Sequence, residues 1–286
     1  MTTAASAAIL GYRSFLAARD GEPDPQRDTL ARREAFFRAV EARPVRSRRS
    51  FDRAVFLRNV ARARPEPGLD PHMLWLLATA KINQGERFGV ELGKLYGVAL
   101  REDALPEQVH VILQETYHTR TLADVVAIFG LPVPRRPPPR MTRLFIELMV
   151  RWPLPERLLL PVVGLSERIG CAIFRLLREK GLELFADEPE VAERIRILYD
   201  DILADEICHV GLIEARLGRA GFALMHGLYR TLATSMVRSM SPEACAVLGR
   251  EALTRALRAP FDQARLAAEF PQTAYAFRGP SPTSSE

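Results

Sequence analysis

Two segments far apart in the chain, "LQETYH" at 113–118 and "ADEICHV" at 204–210, each set a glutamate and a histidine three positions apart within an apolar run. On an α-helix such residues share one face. The face of Glu115 and His118 continues as Val111, Leu122, Val125 and Phe129, and that of Glu206 and His209 as Ile195, Leu198, Tyr199, Ile202 and Ile213. Carboxylates on such stripes are headed for the interior, where an unpaired one costs on the order of several kcal/mol. Any fold open to this chain must therefore bring each pair a compensating partner. Spacing by itself is cheap: Glu107 and His110 repeat it in "PEQVH". That third pair falls in the first turn of its helix, within reach of water, and reads as acidic charge near a helix N-terminus beside an ordinary histidine.

The rest of the chain reads as helix. Asp70 and Pro71 open a first long helix with a cap and a proline at its first position. A second is expected from about 106 to 129, ended by the proline-dense "GLPVPRRPPPR". A short apolar helix near 141–150 follows, then a third long helix over roughly 156–182, kinked at Pro161. Asp187, with Glu190 three positions on, has the spacing of a capping box and opens a fourth that reaches about Leu217. Further helices are expected near 219–240 and 242–258, with one or two arginine-rich amphipathic helices in the first seventy residues. No run alternates as a strand, and no solenoid-like repeat occurs. The expected fold class is all-α: two helical hairpins joined by a crossover.

Composition excludes more than it suggests. The apolar fraction of 48% suits an ordinary globular protein, and 286 residues suffice for a sizeable core. The formal charge of +5 is mild over that length and reads as a solvated arginine-rich surface ahead of an acidic partner. Cys171, Cys208 and Cys245 are odd in number and far apart, which argues against a disulfide framework or a cysteine zinc site. The N-terminal run lacks a basic n-region, and the longest apolar run, "LLLPVVGL", is too short for a membrane span. The expectation is a soluble, reduced, cytoplasmic protein with no membrane association.

Compensating carboxylates can be sought on the other two long helices. Glu86 shares its stripe with Thr79, Ile82, Asn83, Gly89, Val90 and Gly93, small or apolar residues suited to close packing. Glu91 keeps company with Gln84, Arg87 and Lys94, a solvent face, so Glu86 is the better candidate. On the third helix Glu167 lies with Leu160, Val163, Gly164, Gly170, Cys171 and Phe174. In an antiparallel hairpin, positions equidistant from the turn lie at one height. Glu167 and the Glu206/His209 pair straddle a turn near 186, and Glu86 and the Glu115/His118 pair straddle 101–102. Four glutamates and two histidines can therefore converge.

That constellation resembles the ferritin-like di-iron carboxylate superfamily, in which a glutamate from each of two helices meets a Glu-x-x-His from each of the other two. The resemblance covers roughly residues 70–217. It implies a ferritin-like four-helix bundle with a crossover, an N-terminal helical extension (1–69) packed on it, and C-terminal helices (218–275) in the same domain. The tail at 276–286 is read as disordered from its composition. Carried over by position, Glu86, Glu115 and His118 would serve one metal, and Glu167, Glu206 and His209 the other, a division that is approximate because some glutamates bridge in this superfamily. Asp205, just before the second motif, would hydrogen-bond the opposite histidine, and Gln114 could do the same for His209; a surface acid is the alternative for Asp205. The implied cofactor is two iron ions, with manganese or a mixed pair fitting the same ligands, O2 as co-substrate and an external electron donor such as a reductase or ferredoxin. Leu122 stands where the ribonucleotide reductase small subunit has its radical tyrosine. Ile202 stands where arylamine N-oxygenases have an extra histidine ligand, so the likeness to those enzymes is distant.

Three functions stay open. The first is an O2-dependent monooxygenase acting on a small molecule by hydroxylation or N-oxygenation. The second is a hydroxylase of tRNA or of an acyl group on an acidic carrier protein, with the arginines of 43–64 holding phosphate; nucleic acid is the weaker partner of the two. The third is a ferroxidase or metal-binding bundle without organic substrate. Phe88, Phe129, Phe174 and Tyr199 could line a cavity, or be plain core. A homodimer is compatible with each reading.

Overall fold

The computed structural model describes residues 3–24, 27, 29–95, 106–135, 144, 156–259 and 269. The chain is all-α. Its elements are α1 (Thr3–Asp20), β1 (Pro23–Asp24), β2 (Thr29–Leu30), α2 (Ala31–Glu41), α3 (Arg53–Ala61), α4 (Pro71–Leu95), α5 (Pro106–Ala127), α6 (Glu156–Leu184), α7 (Pro189–Ser239), α8 (Pro242–Leu248) and α9 (Arg250–Arg258). The two strands are a two-residue antiparallel pairing, Pro23 with Leu30 and Asp24 with Thr29, that the sequence pattern did not announce. The helix expected near 141–150, apart from Leu144, lies outside the described residues, as do the turn at 101–102 and the tail at 276–286.

Caps fix several helix starts. The Asp70 carboxylate accepts from the backbone N–H of His72 and Met73 at 2.9 and 3.0 Å, ahead of Pro71. Asp52 does the same for α3 at 2.7 and 3.0 Å, and Ser241 Oγ accepts from Ala244 N at 3.1 Å to start α8.

Other boundaries differ from the sequence reading. Asp187 does not cap α7: its carboxylate accepts from Arg49 Nη2 at 2.8 Å, and the helix starts later, with Pro189 as its first residue. The neighbouring Glu188 takes Ser47 Oγ and Arg48 N, at 2.9 and 2.7 Å, so both acids clamp the 47–49 segment instead. Gly218 (φ 66°, ψ 177°) breaks α7 close to where its end was expected. Gly249 (φ 81°) divides the expected 242–258 helix into α8 and α9, a conformation that costs glycine little. Helix α6 continues unbroken across Pro161, and the described part of the first seventy residues holds three helices.

The long helices pair antiparallel. Trp75 meets Phe129 (6.3 Å between ring centroids), Asn83 donates to the Thr119 carbonyl, and Glu86 reaches the level of His118, so α4 and α5 run in opposite senses. The pairs Arg178–Asp200 and Glu167–His209 show the same for α6 and α7. An aromatic core closes one end: Trp75, Phe129, Phe185 and Tyr199 have centroids 4.6–6.3 Å apart where they touch, and the Trp75 indole donates to the Leu177 carbonyl at 2.8 Å. Helix α1 packs Tyr12, Phe15 and Leu16 against Cys208 and Leu212 of α7, and Leu30 and Phe37 pack against Leu113 and Tyr117 of α5. The N-terminal helices thus lie directly over the two Glu-x-x-His segments. No helix among the described residues is long and apolar enough to cross a membrane.

Candidate metal centre

Four helices deliver six side chains to one place. Atoms of Glu86, Glu115, His118 and Glu206 lie within 4.8 Å of one another, and so do atoms of Glu115, Glu167, Glu206 and His209. Glu115 and Glu206 belong to both groups. The arrangement is therefore two overlapping sets that have two carboxylates in common, in line with the bridging glutamates that the resemblance allows. Glu91 is exposed and in neither set.

Both imidazoles aim Nδ1 at the carboxylates. His118 Nδ1 lies 3.3 Å from Glu206 Oε1 and 3.4 Å from Glu115 Oε2; His209 Nδ1 lies 3.0 Å from Glu167 Oε2 and 3.2 Å from Glu115 Oε1. The opposite nitrogens are occupied elsewhere. His118 Nε2 pairs with Asp205 Oδ2 at 3.0 Å, and His209 Nε2 with Gln114 Oε1 at 2.8 Å. Both oxygens are acceptors, so each Nε2 carries a proton, and Nδ1 is the nitrogen that a metal would take once its own proton is displaced. Gly170 gives Glu206 its place: a Cβ there would overlap Glu206 Oε2 and come within 3.0 Å of its Cδ.

The electrostatics suit a cation. Burial, with the charges of Glu115 and Glu206, holds the Glu86 carboxyl well above its ordinary pKa. Burial and Glu167 push Glu206 up to about 8. For Glu115, burial is outweighed by His118 and His209, which hold it well below the usual carboxylate range. Burial would lower both histidines, but Glu115 with Asp205 for His118, and Glu115 with Glu167 for His209, carry them well above the ordinary value. By themselves Glu86, Glu206, His118 and His209 retain protons that a cation would displace.

Two buried atoms in the cluster, His118 Nδ1 and Glu115 Oε1, have no hydrogen-bond partner. Each faces a charged neighbour 3.2–3.4 Å away without a well-aligned hydrogen bond, and an ion at the centre would satisfy both. The donors are carboxylate oxygens and imidazole nitrogens, a set suited to iron or manganese. Burial and the nearby Glu206 push the Cys171 thiol well up, so it stays protonated and is no competing soft ligand. The residues fit a two-metal site.

Among the described residues the centre has a closed side and a more exposed one. The side chains of His118, His209 and Glu206 are 0–3% exposed, whereas Glu86 and Glu115 are 21% and 20% exposed. Gly89, three residues beyond Glu86, is exposed, and among the described residues a Cβ there would meet nothing within 4 Å, so it leaves space there in place of the close packing its stripe had suggested. Phe174 stands edge-on to His118 (6.5 Å between centroids), while Phe129 and Tyr199 belong to the aromatic core, the Tyr199 hydroxyl lying 3.0 Å from Thr79 Oγ1. Two surface hollows of about 640 and 560 Å³ are lined by α8 and α9 residues and by none of the six.

His110 differs from its expected setting: it is 7% exposed, its Nε2 3.3 Å from the Gly21 carbonyl, because the turn after α1 covers it. The residues missed by sequence reasoning are on the N-terminal helices. Arg19 and Arg33 grip Asp205, the latter at 2.9 Å, and Asp20 Oδ2 accepts from Gln114 Nε2 at 2.6 Å. A signal for them existed: Arg33 sits between Leu30 and Phe37, and Asp20 four residues after Leu16, charges on otherwise apolar stripes. No family model, curated protein or solved structure matches the chain.

Proposed function

We propose that this chain is a ferritin-like non-haem di-iron protein that uses O2 to oxygenate a small organic molecule, by hydroxylation or N-oxygenation. The carrying observation is the overlap of two ligand sets through Glu115 and Glu206. One ion needs fewer donors than four carboxylates and two imidazoles; two ions sharing two carboxylates use all six. Glu86 and His118 would hold one ion, Glu167 and His209 the other. When bound, such an iron pair supplies the redox chemistry toward O2, with electrons drawn from a reductase or ferredoxin.

The chain's own residues supply the setting. Asp205 and Gln114 orient the imidazoles, and the helix packing behind His118, His209 and Glu206 keeps water from that side. The accessible edge at Glu86, Glu115 and Gly89 is the direction from which a small substrate could approach. Against a nucleic-acid substrate, the arginines of 43–64 are largely spent within the chain: Arg46 and Arg48 donate to the carbonyls of Ala127 and Asp187, Arg49 pairs with Asp187, and Arg58 and Arg62 share Glu66.

The test is single-turnover reaction of iron-loaded, reduced protein with ¹⁸O2 in the presence of candidate amines, aromatic acids and carrier-bound acyl groups. Two irons per chain and ¹⁸O in an organic product are expected. One metal per chain, or zinc held by cysteine, would sink the reading. Rapid conversion to a stable ferric mineral with no label in any product would establish the ferroxidase alternative.

A further inference from the structure

We infer that the N-terminal helices are part of the metal centre, with Asp20 and Arg33 as positioning residues that set the proton positions of His209 and His118. The inference rests on the two-metal reading of the centre and adds to it a requirement on residues far outside the motifs.

A glutamine amide has an accepting end and a donating end, and nothing intrinsic decides which end faces a neighbour. Gln114 is fully buried between two groups, His209 and Asp20. Because the Asp20 carboxylate accepts, it takes the NH2 end at 2.6 Å and turns Oε1 toward His209 Nε2, 2.8 Å away. That oxygen can only accept, so a His209 proton is fixed on Nε2, and Nδ1, facing Glu115 and Glu167, is the nitrogen left for a metal. With the amide reversed, its NH2 would face Nε2, the imidazole proton would move to Nδ1, and the ligand position would be blocked. Asp20 thus chooses the ligand atom of a histidine it never touches.

Arg33 performs the equivalent task on the other histidine. Its side chain is 3% exposed, with Nη1 2.5 Å from Asp201 Oδ1 and Nη2 2.9 Å from Asp205 Oδ2. The latter oxygen is the one that pairs with His118 Nε2. Its Nε stands 4.0 Å from Asp20 Oδ1, so Arg33 lies against both histidine relays. Arg19, on α1, completes the grip on Asp205 and Asp201. Buried ion pairs add little stability over well-packed apolar side chains, because desolvation offsets their attraction. This cluster nonetheless occupies an interface whose other members, Leu16, Leu30, Phe37 and Leu113, are apolar. Its cost is explained if its work is orientation.

The test uses the full chain labelled with ¹⁵N-histidine and titrated with Zn²⁺, a diamagnetic probe. The five histidines make the ring-nitrogen spectrum tractable. In the parent protein His118 and His209 should both show protonated Nε2 and metal-bound Nδ1. Asp20→Asn keeps the shape but can offer Gln114 either end of an amide. It should mix the proton positions of His209, leave His118 unchanged, and weaken one of the two Zn²⁺ ions about tenfold. Arg33→Lys keeps the charge but cannot fork between Asp201 and Asp205, and it should perturb His118 more than His209. Arg38→Met, on the exposed face of α2, is the control. If Arg33→Lys does not fold, Asp20→Asn decides. Parent-like ring spectra and Zn²⁺ affinities in Asp20→Asn would overturn the inference while leaving the metal centre standing. A parent chain that binds no Zn²⁺ would overturn the metal centre itself.

Discussion

His118 and His209 occupy matching places in the two halves of the centre, yet they are held by different chemistry. His118 leans on Asp205, a fully buried carboxylate that Arg19 and Arg33 hold far below the ordinary carboxylate pKa against the opposing effect of burial. His209 leans on Gln114, a neutral amide backed by Asp20, whose own pKa is raised by burial and by Asp205. A carboxylate partner makes an imidazole a stronger donor than an amide does. On the two-metal reading, the two positions should therefore differ in affinity, although the same residue types would ligate both. The halves also differ in access, with Glu86 21% exposed on one side and Glu167 12% on the other.

The strongest way to break this picture is to remove what the halves share. Glu206→Ala or Glu115→Ala should empty both positions in a metal analysis, while Glu86→Ala or Glu167→Ala should retain one ion. Loss of only one ion from Glu206→Ala would show that the carboxylate is not shared. A sharper probe compares the supports. Asp205→Asn should weaken the ion beside His118 by about 10–100-fold, and Gln114→Ala the ion beside His209 by less, read from two-step Zn²⁺ titrations. Asp205→Asn should also lower stability more, by about 3–5 kcal/mol in chemical denaturation, because it leaves the buried Arg33 and the partly buried Arg19 to share Asp201. Equal effects from the two variants would erase the asymmetry.

A third expectation concerns pH. Glu86, Glu206, His118 and His209 all bind a proton more tightly in the folded chain than in the unfolded one. Their contribution to metal-free stability is present at low pH and is lost as pH rises past the unfolded values, for Glu206 between the ordinary carboxylate range and about 8. The depressed Glu115 and Asp205 act oppositely, gaining as pH rises, but their window lies below about pH 4. Because metal displaces the retained protons, the rise in Tm caused by Zn²⁺ should grow from about pH 5.5 to about pH 8. A flat profile would mean that these groups do not retain protons. The smallest effect is expected from Glu91→Ala, which should change neither metal content nor melting temperature, since Glu91 is exposed and outside both ligand sets.

Much of the centre was legible because its rules are local. A Glu and a His at i and i+3 share a face whatever the helix packs against, and Asp205 and Gln114 stand one residue before their motifs. Choosing Glu86 over Glu91 needed only the character of each stripe. The Asp187 cap failed for the opposite reason: Arg49 competes for that carboxylate from across the molecule, and Pro189 marks the real start. The division at Gly249 was readable in principle, but helix formers on both sides outweighed one glycine.

By itself the sequence determined that this chain is all-α and which six residues lie on apolar faces, because periodicity and the cost of burying an unpaired charge act within one helix at a time. Only the tertiary structure decided that Glu115 and Glu206 fall in both groups, that one edge of the centre is the more exposed among the described residues, and that Asp20 and Arg33 stand behind the histidines. Those facts depend on distances of a few ångströms between helices remote in sequence, and no spacing within a single helix encodes them.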